Sequence, residues 1–106
     1  MTEQITNDIK SQNELIATFM GFKQPVKGYF VNAVDHHRLI LSYHWCWSEL
    51  MPVWYKFVDL RFPKPVDQLQ HSELKTIIGY AILYGGIELA FVNIIQGIQW
   101  YNSINK

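Results

Sequence analysis

The stretch Ser42–Phe62 constrains the fold most. It holds Trp45, Trp47, Trp54, Tyr43, Tyr55, Phe57, Phe62 and the single cysteine, Cys46. Large aromatic side chains bury more surface per residue than any others, so a small domain is expected to build its core around such a cluster. Within it Trp47, Leu50, Met51, Trp54, Phe57 and Val58 recur at the i, i+3, i+4, i+7 spacing of one helix face. Glu49, Lys56 and Asp59 take the other side. That pattern predicts an aromatic-rich helix over about 47–61. Pro52 lacks an amide proton and is tolerated near the first turn, or otherwise kinks the axis. Phe62-Pro63-Lys64-Pro65 ends the helix, because a residue before proline avoids the α region.

The rest of the chain reads as elements laid against this one. Asn13 has the chemistry of an N-cap, and Leu15, Ile16, Phe19 and Met20 give one buried face. Gly21 stands where a glycine stops a helix, so a short helix over 13–20 is expected, with 1–10 flexible. Residues 29–34 and 39–44 are rich in β-branched and aromatic types and flank the polar break Asp35-His36-His37-Arg38. Two such runs around a short loop read as a β-hairpin. Val66–His71 reads as a linker. Residues 76–84 fit a buried helix or a buried strand, and a run this short is not decided by periodicity. A last helix over 87–103 buries Ile87, Ala90, Phe91, Ile94, Ile95, Ile98 and Tyr101, with Gly97 permitting close approach of a neighbour. The expected architecture is therefore α+β, one domain over 1–106: a hairpin packed on the aromatic helix and the C-terminal helix.

Charge narrows the function classes. Nine basic and nine acidic side chains cancel. A dedicated DNA binder would carry a basic face, and none is visible in bulk. Neutrality also eases self-association. One cysteine excludes an internal disulfide and an all-thiolate zinc site, which fits a reducing compartment. The first ten residues lack the charged-then-apolar pattern of a signal peptide, and cytoplasmic localisation is expected. Between Thr76 and Asn105 Glu88 is the only acidic or basic residue, a run long enough to raise a membrane span. Yet Glu88, Gln96, Gln99 and Ser103 share one helical stripe, which a lipid-facing helix has no reason to do. No membrane contact is expected.

Catalytic chemistry finds little to work with. A His-x-Cys pair, His44 and Cys46, lacks the second ligand pair that zinc requires. A cysteine between two tryptophans is more often a small buried apolar residue than a nucleophile. Glu49 and Asp59 lie about 15 Å apart along a helix, too far for a carboxylate pair. Glu88 has apolar surroundings but needs no function beyond meeting a helix N-terminus. No catalytic residue, metal or cofactor is assigned, and the chain is read as a non-enzyme. What stands out is 15 % aromatic content interleaved with cations. Tyr29, His36, His37, Arg38, Trp45, Tyr55, Lys56 and Arg61 are the expected partner-binding residues. Rings and arginines dominate protein hot spots, and the same mixture suits single-stranded RNA.

The block Leu41-Ser42-Tyr43-His44-Trp45-Cys46-Trp47-Ser48-Glu49-Leu50-Met51-Pro52-Val53 resembles a family of small phage- and prophage-encoded proteins. They share a Tyr-His, two spaced tryptophans and Leu-Met-Pro-Val. Ile16–Gly21 and the terminal helix from Ile87 through Trp100-Tyr101-Asn102 look like the family's other two blocks, in the same order. The family carries no activity that transfers catalytic residues. In that setting the chain looks like an anti-CRISPR protein of the kind directed at the type VI-B RNA-guided RNA nuclease. The resemblance implies a phage-encoded inhibitor in the host bacterial cytosol, with a CRISPR effector nuclease as protein partner. The basic and aromatic residues make a small RNA-binding module the alternative, and the neutral charge leaves self-association open. The segment 77–84 is unusually apolar for that family and suits a strand, a partner surface or a dimer seam.

Overall fold

A computed structural model describes residues 2–26, 29–31 and 42–105, with side chains described at 9–22 and 42–105. Helices carry the fold: α1 (Thr2–Phe19), α2 (Trp47–Val58), α3 (Pro65–Tyr80) and α4 (Gly86–Ile104), with one π-helical turn at Ala81–Gly85 joining the last two. Two short extended pieces, β1 (Lys23–Val26) and β2 (Tyr29–Val31), pair antiparallel with an irregular register. The architecture is helical, and the expected α+β hairpin of 29–34 with 39–44 does not form. Tyr29–Val31 pairs backward with Lys23–Val26 instead. Residues 32–41 lie outside the described ones, and Tyr43–Trp45 is a turn. Tyr43 N–H donates to the side chain of Asn13, thirty residues away, and the N–H groups of Trp45 and of Cys46 just after the turn donate to the Ser42 carbonyl. Those three N–H groups are thereby withheld from a β-ladder.

Helix α1 is longer than expected, because Asn13 does not cap it. Its side-chain oxygen is taken by the distant Tyr43 N–H and its NH₂ by His44 and the Ile9 carbonyl one turn back, so it bonds from within the helix instead of capping it. The C-terminus of α1 closes as the sequence suggests. Gly21 at φ +86° lets its N–H reach the Thr18 carbonyl while Phe22 N–H reaches Ala17, the paired bonds of a Schellman stop. Helix α3 replaces the expected linker at Val66–His71. Pro65 sits at its first position, where a missing N–H costs nothing, and Asp67 meets the helix dipole.

Helices α3 and α4 fold back on each other. In one straight helix Ile78 and Gly97 would be roughly 28 Å apart at 1.5 Å per residue. Here a Cβ on Gly97 would lie 3.3 Å from Ile78 Cδ1, and the His71 and Trp100 rings stack 6.4 Å apart at 10°. Gly86 makes the reversal, with φ +81° and ψ 177° that a side chain would strain. Pro65–Ile104 is long and apolar enough by length and composition to cross a membrane. Its two halves form a hairpin rather than a rod.

The core lies along α4, which buries Ala90, Phe91, Ile94, Ile95, Gly97 and Ile98. Against it pack Ile16 and Ala17 of α1, Tyr43, the α2 residues Leu50, Val53 and Phe57, and Ile78 and Ala81. Burial pushes the Tyr43 hydroxyl up to about 12, with Glu49 adding to it. The tryptophans are not the centre of this core. Trp45 and Trp47 are exposed, and Trp54 packs on the margin. A bulky indole fills the narrow gap between α2 and α4 less well than Phe57, whose ring lies 3.0 Å from where a Gly97 Cβ would stand.

Candidate functional site

Helix α2 and the turn before it carry most of the expected binding residues that are described. Trp45 is 64 % exposed and Tyr55 59 %. Both rings are free to meet a partner. Lys56 is committed elsewhere: its ammonium donates to the Phe19 carbonyl and sits 5.0 Å from the Phe19 ring centre, tying α2 to the end of α1. Arg61 donates to the carbonyls of Asp59 and Leu60, covering the open end of α2. Tyr29 is placed by its backbone alone, in β2, while His36, His37 and Arg38 lie outside the described residues. The structure therefore leaves Trp45 exposed on the turn before α2 and Tyr55 exposed on α2 itself, but assigns Lys56 and Arg61 to intramolecular contacts.

Cys46 is the N-cap residue of α2 rather than an apolar core residue. Its Sγ lies 3.1 Å from Ser48 Oγ. That hydroxyl, then the Glu49 backbone N–H, holds the thiol below its ordinary value by favouring the thiolate. Among the described residues no base is hydrogen-bonded to the thiol. His44 instead takes Asn13 Nδ2 at its Nδ1, 3.0 Å away, and sets its ring edge-on to Phe91. Among the described residues no group of three or more His, Cys, Asp or Glu is placed to hold a metal.

His71, in a segment the sequence suggested was a linker, is buried between Phe57, Phe62 and Trp100. Its Nε2–H donates to the Phe57 carbonyl at 2.7 Å. Burial lowers its pKa, and Lys75 and Arg61 push the same way against that hydrogen bond. A lowered folded pKa means the unfolded chain binds the proton more tightly. Stability from this group is complete above the unfolded histidine value of about 6.5 and is lost as pH falls through the folded value. The melting midpoint is expected to drop between pH 7.5 and pH 5.5, and His71→Gln to flatten that part of the dependence. An unchanged slope in the variant would assign the effect to other histidines.

The surface that sequence reasoning located least well is the closed end of the α3–α4 hairpin. Ile77, Tyr80, Leu83, Tyr84, Leu89 and Val92 are all exposed there, Leu83 by 73 % and Tyr84 by 79 %. Tyr80 and Tyr84 stack at 5.9 Å. Ile77, Tyr80, Ala81, Tyr84, Gly85, Leu89 and Asn93 line an open depression of about 360 Å³. The signal in the sequence was the absence of charge between Lys75 and Glu88, which says that a surface is apolar but not which way it faces. Comparison of the chain with protein-family models, curated proteins and solved structures found no match to any of them.

Proposed function

We propose that this chain is a non-catalytic, phage-type inhibitor that stops a host RNA-guided nuclease, of the type VI-B class, by binding it in the bacterial cytosol. The observation that carries the reading is the pair of exposed rings, Tyr55 on α2 and Trp45 on the turn before it, set on a helix whose other face is locked in the core. Rigid aromatics lose little entropy on docking and dominate interface energetics. The phage-family resemblance of the Tyr43–Val53 block supports the same assignment. RNA binding is less favoured, because Lys56 and Arg61 spend donors on the protein's own carbonyls.

RNA cleavage by a purified type VI-B effector, measured as this protein is titrated in, tests the proposal. The protein is expected to suppress cleavage, and the Trp45→Ala/Tyr55→Ala double variant to need at least about tenfold more protein for the same effect. Its circular dichroism should be unchanged. Full cleavage at saturating protein would remove the reading. A salt-sensitive gel shift with RNA alone would put the RNA-binding module in its place.

A further inference from the structure

We propose that the closed end of the α3–α4 hairpin is a self-association surface that pairs with a second copy of this chain about a twofold axis. Three observations bear on the occupant. First is area. Ile77, Tyr80, Leu83, Tyr84, Leu89 and Val92 together leave on the order of 600–800 Å² exposed, tyrosine hydroxyls included. Monomers rarely show an apolar patch above roughly 300–600 Å², and a standard interface buries about 800 Å² per partner. The exposed surface is therefore comparable in size to one half of a dimer interface.

Second is charge. From Thr76 to Val92 the sequence carries one acidic residue, Glu88, and no basic one. Such a surface offers nothing to a phosphate backbone and repels a copy of itself only weakly. Glu88 is exposed in the first turn of α4, at the end of the hairpin that would lead into a bilayer, where a carboxylate is costly. Third is shape. The depression lined by Tyr80, Tyr84, Gly85 and Leu89 lies on the same hairpin end as the projecting Leu83. A twofold interface needs a patch that is complementary to itself, so that each copy gives a knob and receives one. Leu83 of each chain entering the other's depression meets that need.

Sedimentation velocity of the full chain, from low micromolar to several hundred micromolar, tests the pairing. A concentration-dependent monomer–dimer exchange is expected. Leu83→Asp should raise the dimer dissociation constant at least about tenfold, while Leu69→Asp, exposed farther along α3, leaves it unchanged. A monomer at every concentration overturns the proposal, as does an equal response to both variants. A protein that stays monomeric yet co-floats with phosphatidylcholine–phosphatidylglycerol vesicles also overturns it and makes the surface lipid-binding. Nuclease inhibition is not part of this measurement, so pairing and inhibition stand or fall separately.

Discussion

Phe57→Ala is expected to remove about 3–5 kcal/mol of folding stability, the range for emptying an aromatic site in a core. Phe57 is fully buried and joins three helices. Its ring fills the notch left by Gly97 on α4, and it meets the His71 ring edge-on at 5.0 Å. The same residue's carbonyl receives the His71 N–H. Alanine would leave that backbone bond in place while withdrawing the surface on which the imidazole rests. A domain of this size has a total stability of roughly 5–15 kcal/mol, so the loss is a large share of it. Urea unfolding should show the midpoint falling with little change in slope. Tyr55→Ala, two positions earlier on the exposed side of α2, should cost no more than about 0.5 kcal/mol. Near-equal costs for the two variants would mean that α2 does not bury the face described here.

Where sequence and structure agree, a single local rule decides the outcome. The apolar residues of α4 follow the helical period, and its exposed stripe of Glu88, Gln96, Gln99 and Ser103 lies opposite the core. Gly97 was expected to permit close approach, and Phe57 and Ile78 make it. Gly21 ends α1 as a left-handed glycine should. Disagreement begins where two rules compete or a distant group intervenes. Tyr43 and His44 have strand-forming neighbours, but Asn13, thirty residues away, takes the Tyr43 amide. The tryptophans promised a core on size alone. Which side of a helix faces inward depends on its partner, and α4 accepts the narrower row of Leu50, Val53 and Phe57. Val53 was passed over in favour of Trp47, although the two lie on different faces. Val66–His71 reads as a linker in the sequence, yet Pro65 starts a helix there and His71 is buried. Of the candidate site, Trp45 and Tyr55 were legible as aromatics in a polar setting. The hairpin end was legible only as an uncharged run, since a reversal at Gly85-Gly86 must be known before its exposed side can be assigned.

Asn13→Ala is expected to cost about 2–3 kcal/mol, well above the roughly 1 kcal/mol of losing an ordinary helix cap. Asn13 is buried in the body of α1 and makes three contacts. Its Oδ1 accepts the Tyr43 amide at 2.9 Å, and its Nδ2 lies 2.9 Å from the Ile9 carbonyl and 3.0 Å from His44 Nδ1. The Tyr43 N–H fixes which end of the amide is oxygen. The NH₂ must then face His44, whose Nδ1 accepts while Nε2 carries the proton. Alanine leaves a buried backbone N–H without a partner, and that desolvation cost outweighs alanine's better helix propensity of under 1 kcal/mol. The residue is also the polar tie between α1 and the turn that launches α2, so the loss should spread along the chain. Hydrogen exchange at Tyr43, Trp45 and Cys46 should accelerate together, because the turn that holds all three loses its anchor. Asn13→Ala and His44→Ala should be non-additive by at least about 0.5 kcal/mol in a double-mutant cycle. Gln12→Ala, at the neighbouring half-buried position, should change stability little. If Asn13→Ala behaved like Gln12→Ala and the cycle closed additively, Asn13 would be a passive helix residue, and the turn at Tyr43–Trp45 would need another reason to stand where it does.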